Sequence, residues 1–113
     1  MTLVMTKIYK FKDDISTDAL KELEKHSSLA IDTEGSGLQI PHRDKLSLVQ
    51  FSSGNNDAYI IQPNRKSYKA PNIVKILENT KITKIGHYLR YDVSGLEYFL
   101  IQRHHILNNG QFL

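Results

Sequence analysis

Cysteine and long apolar runs are both absent from this sequence. Without cysteine the chain can form neither disulfides nor thiolate metal sites, and we expect it to act in the reducing cytoplasm, with which that absence is compatible. No apolar run reaches the length of about 20 residues that a membrane-spanning helix needs. Residues 1–12 scatter lysines among apolar residues and lack a cleavage site of small residues, so they do not resemble a signal peptide.

Acidic residues are missing from the end of the chain, where neither Asp nor Glu follows Glu97. The formal net charge of the whole chain is +3. This mild basic excess suits a polyanionic partner such as nucleic acid, although many proteins that never bind nucleic acid carry as much. The length of 113 residues is enough for one domain with one modest core.

The order of the predicted elements is that of an α/β domain. Residues 6–12 suit an edge strand, and the polar residues 16–18 offer N-cap chemistry for a helix that ends near His26. Further strands are predicted at residues 29–34, 46–52, 58–61 and 82–85, and further helices at 71–79 and 88–101. Because a helix precedes strand 82–85, that strand can lie parallel to strand 29–34, and the sheet is predicted to be mixed.

Asp32 and Glu34 form a pair of acids at the end of a short apolar strand. Residues two apart on a strand point to the same face, and neighbouring carboxylates need protonation of one, a basic neighbour or a bound cation. Because Mg²⁺ and Mn²⁺ prefer carboxylate oxygens, the pair is half of a candidate metal site. For an Asp-x-Glu tripeptide alone, solvated acids just past a strand are the better interpretation, because the pattern arises often by chance.

Asp92 is the third acid of interest and lies near the start of the helix predicted after the last strand. Taken alone, an Asp at that place is better explained by a favourable interaction with the helix dipole. If strand 82–85 lies parallel to and beside strand 29–34, however, Asp92 emerges at the same end of the sheet as Asp32 and Glu34. Three carboxylates would then converge on one spot.

Two motifs resemble those of the DEDD 3′–5′ exonucleases of the ribonuclease D type. Residues 30–34, Ala-Ile-Asp-Thr-Glu, look like the first motif of that family. Residues 85–92, Ile-Gly-His-Tyr-Leu-Arg-Tyr-Asp, resemble its second motif, Gly-x-x-Leu-[Lys/Arg]-[Tyr/Phe]-Asp. Residues 43–50 are similar to the strand that follows the first motif. The likeness extends to about Leu100 and is to short bacterial members that consist of the exonuclease domain only.

The resemblance implies a ribonuclease H-like fold, with helices flanking a mixed sheet, and the removal of mononucleotides from the 3′ end of RNA by hydrolysis. Two Mg²⁺ or Mn²⁺ ions serve that reaction in the family. The resemblance assigns Asp32 to both ions, Glu34 to the ion that holds the attacking water, and Asp92 to the second ion.

Contacts to the terminal nucleotide of a single-stranded RNA or DNA are also implied by the resemblance. They would come from Gly35, Leu38 and His87. Arg43 is expected to be a surface or structural residue rather than a phosphate ligand.

The third motif of the family has no counterpart in this sequence. That motif places another Asp on a later helix, about four residues after a Tyr or His that positions the water, whereas no acid follows His104 or His105. The last strand and helix of the fold are missing too. We therefore expect residues 1–113 to form a single, partial exonuclease domain, incomplete at its C-terminus, whose site would be completed by self-association or by a partner.

Three hypotheses of function follow. The first is an exonuclease, and the second is a catalytically inactive remnant that only binds single-stranded nucleic acid. The third is a relic that folds poorly and does nothing. The missing third motif separates them, because only the first needs an outside source of the absent Asp.

Overall fold

The computed structural model describes residues 7–35, 45–86 and 95–101. The elements in these ranges are β1 (Lys7–Lys12), α1 (Thr17–Glu24), β2 (Ser28–Gly35), β3 (Leu46–Ser52), β4 (Asp57–Gln62), α2 (Pro71–Glu78), β5 (Thr83–Ile85) and α3, a short π-helix (Leu96–Ile101). Each lies within two residues of a predicted element, except that α3 is only the end of the helix predicted at 88–101. No helix of the described residues is long and apolar enough to cross a membrane.

One five-stranded sheet has the strand order β1-β4-β3-β2-β5. Strand β1 is parallel to β4 and β5 is parallel to β2, while the pairs β2–β3 and β3–β4 are antiparallel. The prediction of a mixed sheet in an α/β fold is confirmed, and so is the place of β1 at an edge. The parallel pairing of β2 and β5, on which the convergence of the acids depends, is also confirmed.

The described residues form one hydrophobic core, which lies between one face of the sheet and the helices. The strands contribute Leu29, Ile31, Val49, Phe51, Tyr59 and Ile61. The helices contribute Ala19, Leu20, Leu23, Ile73, Ile76, Leu77, Leu96 and Leu100. Because strand side chains alternate between faces, the residues between these core positions point to the opposite side of the sheet.

The first helix begins as the sequence predicts. Ser16 is the N-cap of α1, and its hydroxyl oxygen accepts a hydrogen bond of 3.1 Å from the backbone N–H of Ala19. Such a cap satisfies one of the free N–H groups of the first turn. Leu20 and Leu23 are buried on the same side of this helix, so the short helix is anchored by its cap and by one apolar face.

The second helix is capped from a distant part of the chain. Ala70, at the N-cap position of α2, makes no side-chain cap. Instead the Asp14 carboxylate accepts hydrogen bonds from the backbone N–H of Asn72 at 2.9 Å and of Ile73 at 3.0 Å. The Asn72 side-chain amide donates in return to the carbonyl of Ile15 at 2.9 Å. These contacts join the β1–α1 connection to α2.

Candidate active site

Asp32 and Glu34 lie together on the face of the sheet opposite the core. Their neighbours Ile31 and Thr33 are buried, with 4% and 6% of their surface exposed, whereas both acids are exposed. Alternation along β2 therefore turns the two carboxylates to one side, as the sequence predicts. We call this side of the sheet the carboxylate face.

The pairing of β2 with β3 becomes irregular beside the acids. Asp32 is opposite Gln50 and Glu34 is opposite Leu48, but Gly35 is opposite Leu46. One residue of β3 is thus passed over next to the end of β2, which is the arrangement of a β-bulge. Bulges often occur beside active sites because they bend the strand and redirect its side chains.

The end of β5 borders Asp32. Ala30 pairs with Ile85, the last residue of β5, so β5 ends two residues short of the level of Asp32. A pocket of about 500 Å³ at this place is lined by Ala30, Ile31, Asp32, Ile85 and Gly86. Ile85 is 44% exposed, so the pocket offers apolar surface beside a carboxylate.

The donor chemistry of the acid pair fits a hard divalent cation, because both side chains present carboxylate oxygens to solvent on one face. Within residues 7–35, 45–86 and 95–101 no group of three His, Cys, Asp or Glu side chains is arranged to hold a metal ion. Any third protein ligand must therefore come from another part of the chain or from a partner. Asp92, the residue predicted for this role, lies outside the described residues.

Of the remaining predicted site residues, one lies within the described residues and the others lie outside them. Gly35 ends β2 next to the acids, and its predicted contact to the terminal nucleotide stays a prediction. Leu38, Arg43 and His87 lie outside the described residues, so their predicted roles stay predictions. The helix predicted from residue 88 is described only from residue 95 onwards.

A family model described as 3′–5′ exonuclease matches residues 9–109. This chain belongs to the 3′–5′ exonuclease family. No curated protein matches it. Among solved structures, the exonuclease domain is similar to Brucella melitensis NrnC, with 39% identity and a TM-score of 0.76, over 83% of this chain and 44% of that one. It thus spans less than half the length of NrnC.

Two further structures of NrnC match the exonuclease domain equally well. One contains bound Mg²⁺, with 38% identity, a TM-score of 0.76 and coverage of 83% of this chain and 45% of that one. The other is bound to pGG, with 38% identity, a TM-score of 0.76 and coverage of 84% and 45%. Escherichia coli RNase D, an exoribonuclease, shares the fold with 20% identity and a TM-score of 0.60, over 84% of this chain and 24% of that one. These likenesses confirm the predicted fold and the predicted family.

Tyr68 is hydrogen-bonded to β3, the strand beside the acid-bearing β2, and no sequence pattern predicted this contact. Its buried hydroxyl donates a 2.8 Å hydrogen bond to the carbonyl of Leu46, the residue opposite Gly35. Its ring packs on Phe99 of α3 at a centroid distance of 4.7 Å. Burial raises the pKa of Tyr68, although the nearby Arg65 lowers it in part, so the hydroxyl stays a donor. The only sequence signal was an aromatic residue in a polar loop.

Lys84 is a second buried polar residue that no sequence pattern indicated. It precedes Ile85 on β5 and pairs with Leu29, so it points into the core and away from Asp32. Its ammonium donates a 2.6 Å hydrogen bond to the carbonyl of Asn79, just after α2. Burial lowers the pKa of Lys84 to about 8. Its role in the exonuclease domain is therefore structural rather than catalytic.

Proposed function

We propose that this chain is a metal-dependent 3′–5′ exonuclease domain of the ribonuclease D type. It would hydrolyse the last phosphodiester bond of a single-stranded RNA and release a mononucleotide, with single-stranded DNA as a further substrate. The observation that carries the proposal is the exposed pair Asp32 and Glu34 at the end of β2, beside the end of β5. The family match and the likeness to NrnC bound to pGG support it.

Asp32, Glu34 and Asp92 would hold the catalytic Mg²⁺ or Mn²⁺ ions, two in number as in the family. The likeness to NrnC with bound Mg²⁺ supports the choice of metal. When bound, the ions would supply a Lewis acid that polarises the phosphate and lowers the pKa of the attacking water. The chain itself holds two acidic side chains free of core contacts on one strand, where ions and a phosphate can reach them.

The terminal nucleotide would lie in the pocket beside Asp32. Ala30 and Ile85 give this pocket apolar surface against which a base or sugar can pack. We further propose that Gly35, Leu38 and His87 contact this nucleotide. Together these residues would fix the 3′ end and leave the scissile phosphate at the acids.

The test is a nuclease assay on a 5′-labelled single-stranded RNA with Mn²⁺ or Mg²⁺. We expect stepwise shortening from the 3′ end, and a loss of at least about a hundredfold in rate for Asp32→Asn, because a charged metal ligand becomes a neutral amide of the same size. Asp18→Asn is the matched control, since Asp18 is an exposed acid on α1 and should leave the rate unchanged. Equal rates for wild type and Asp32→Asn would refute the proposal.

The second candidate function is binding of single strands without cleavage. It is favoured by the composition of residues 98–113, which contain neither Asp nor Glu, so these residues cannot supply the acid of the third motif. We propose that residues 1–113 form one partial exonuclease domain, and that a second copy or another polypeptide supplies the missing acid where cleavage occurs. In the same assay, this second candidate predicts retained binding of the RNA and no shortening with either metal.

A further inference from the structure

Two lysines of β1 share the carboxylate face with the acids. Matching positions across the four strands β2, β3, β4 and β1 are occupied by Asp32, Gln50, Ile60 and Lys10. The next row, towards the end of β2, contains Glu34 of β2, Leu48 of β3, Gln62 of β4 and Lys12 of β1. Each acid of the site therefore has a lysine at the far end of its row.

The side to which these lysines point is fixed by the aromatic residues between them. Tyr9 and Phe11 stack on the core residue Tyr59, at centroid distances of 4.8 Å and 6.4 Å. Since neighbours on a strand alternate, Lys10 and Lys12 point to the carboxylate face. Three spacings between neighbouring strands separate them from the acids, which is about 14 Å.

More positive charge lies at the same end of the sheet. The loop after β4 carries the exposed residues Arg65 and Lys66, and both line a pocket of about 380 Å³ with Lys12. Asp13 also lines this pocket, and the side-chain amides of Gln62 and Asn64 add polar groups. The strands β1, β2 and β4 all end here, because β1 is parallel to β4 and both β2 and β4 are antiparallel to β3. Positive charge thus collects at the end of the sheet that carries the acids, on its β1–β4 side.

We infer that Lys10, Lys12 and Lys66 bind the backbone phosphates of a nucleic-acid strand whose 3′ end lies at Asp32. This inference rests on the proposed function for the position of the 3′ end. Between the acids and the lysines, Ile60 and Leu48 offer partly exposed apolar surface to the bases. The partner chemistry is a single-stranded phosphodiester of several nucleotides, because a dinucleotide held at Asp32 does not span the distance to β1. Single strands are usually bound by a positively charged groove that follows the backbone and by aromatic side chains on which the bases stack. Here the aliphatic Ile60 and Leu48 would take the place of the aromatic side chains.

The test measures binding rather than cleavage, in EDTA, by fluorescence anisotropy of a labelled 12-nucleotide strand in an RNA form and a DNA form. The variant is Lys10→Gln/Lys12→Gln in the full chain. The matched control is Lys21→Gln/Lys75→Gln, which removes two exposed lysines from α1 and α2 on the opposite side of the sheet. Circular dichroism melts of both variants check that each is folded.

We expect the β1 variant to bind the RNA or the DNA strand at least about tenfold more weakly. Its slope of log affinity against log salt should fall by about 1.4, since two phosphate contacts are lost. The control should bind like wild type. The RNA and DNA arms show whether the 2′-hydroxyl contributes. Adding Lys66→Gln to the β1 variant should weaken binding further.

The inference would be overturned if the two double variants weakened binding equally, or if the β1 variant did not weaken it at all. It would also be overturned if a polyglutamate peptide bound as tightly as the nucleic acid and with the same dependence on the lysines. The surface would then bind polyanions in general. Failure of the proposed function gives a different result. Lysine-dependent binding without any shortening of the strand would remove the exonuclease and leave the surface. Shortening that depends on Asp32, without binding that depends on the lysines, would support the exonuclease and remove the lysine surface.

Discussion

At the scale of single residues, burial decides which groups are available for chemistry. Alternation along β2 places Thr33 in the core and leaves Asp32 and Glu34 in solvent. Alternation along β5 instead buries a charged residue and exposes an apolar one. Lys84 points into the core, while Ile85 is 44% exposed beside the candidate site. The ammonium of Lys84 is held by the carbonyl of Asn79, which also accepts the N–H of Ile82 at 3.2 Å.

Lys84 should make the stability of this domain rise between about pH 8 and pH 10.5. The pKa of Lys84 is lowered to about 8 from 10.5 by burial, so in this window the unfolded chain holds a proton that the folded chain has released. Below pH 8 the folded state carries the full cost of a buried charge, and that cost disappears as the pH rises. Urea unfolding at pH 7.5 and 9.5 should show a gain of about 2 kcal/mol in wild type relative to Lys84→Met.

Lys81→Met is the control for that measurement, because Lys81 is exposed and lies only three residues away. It should keep the pH dependence of wild type. If Lys84→Met kept it as well, the lysine would not be the group that titrates.

At the scale of elements, helices and strands are held by contacts that join distant parts of the chain. The turn between β3 and β4 is fixed locally, by Asp57, which accepts hydrogen bonds from the Ser53 backbone N–H at 2.9 Å and hydroxyl at 2.7 Å. Burial raises the pKa of Asp57, but the hydrogen bonds from Ser53 and Ser52 outweigh this and lower it overall. The start of α2 depends instead on Asp14, which lies 58 residues before Asn72.

Asp14→Ala should destabilise the domain by about 1–2 kcal/mol, because the first N–H groups of α2 lose their acceptor. Amide hydrogen exchange should accelerate at Asn72 and Ile73, whose N–H groups are the donors to Asp14. Asp14→Asn keeps one acceptor oxygen and should fall between wild type and Asp14→Ala. Exchange at these two amides that is unchanged in Asp14→Ala would show that the cap does not hold the helix.

At the scale of the whole molecule, one core joins the three described helices to the sheet, while the carboxylate face carries the candidate site. Residues from α1, α2 and α3 pack in the same cluster as those of β2, β3 and β4. Such a shared core predicts cooperative unfolding, in contrast to the broad transition of a poorly folded relic. The domain nevertheless spans only 44% of the NrnC chain it resembles. A cooperative transition would therefore mean that these 113 residues form a folded core.

Thermal and urea unfolding should each give one transition, with coincident midpoints by far-UV circular dichroism and by tyrosine fluorescence. Leu23→Ala should lower the free energy of unfolding by about 2–5 kcal/mol without broadening the transition, because Leu23 is fully buried in this core and its removal leaves a cavity. Non-coincident transitions in wild type would contradict a single cooperative core.

Much of this architecture could be predicted from local sequence patterns. Short apolar runs predicted the strands, the polar residues 16–18 predicted the start of α1, and the helix predicted from residue 71 begins there, at Pro71. The same-face position of Asp32 and Glu34 follows from the period of two along any strand. The two motifs together indicated the family, which the family match confirms.

The amino-acid sequence by itself determined the periodicities, the caps and the spacing of the two acids, since each depends on neighbours within a few residues. Tertiary structure alone decided that β5 lies beside β2, that Asp14 caps α2, that Tyr68 holds Leu46, and that Lys10 shares a face with Asp32. These are contacts between residues far apart in the chain. They depend on strand order and on how the core packs, and no local pattern encodes either.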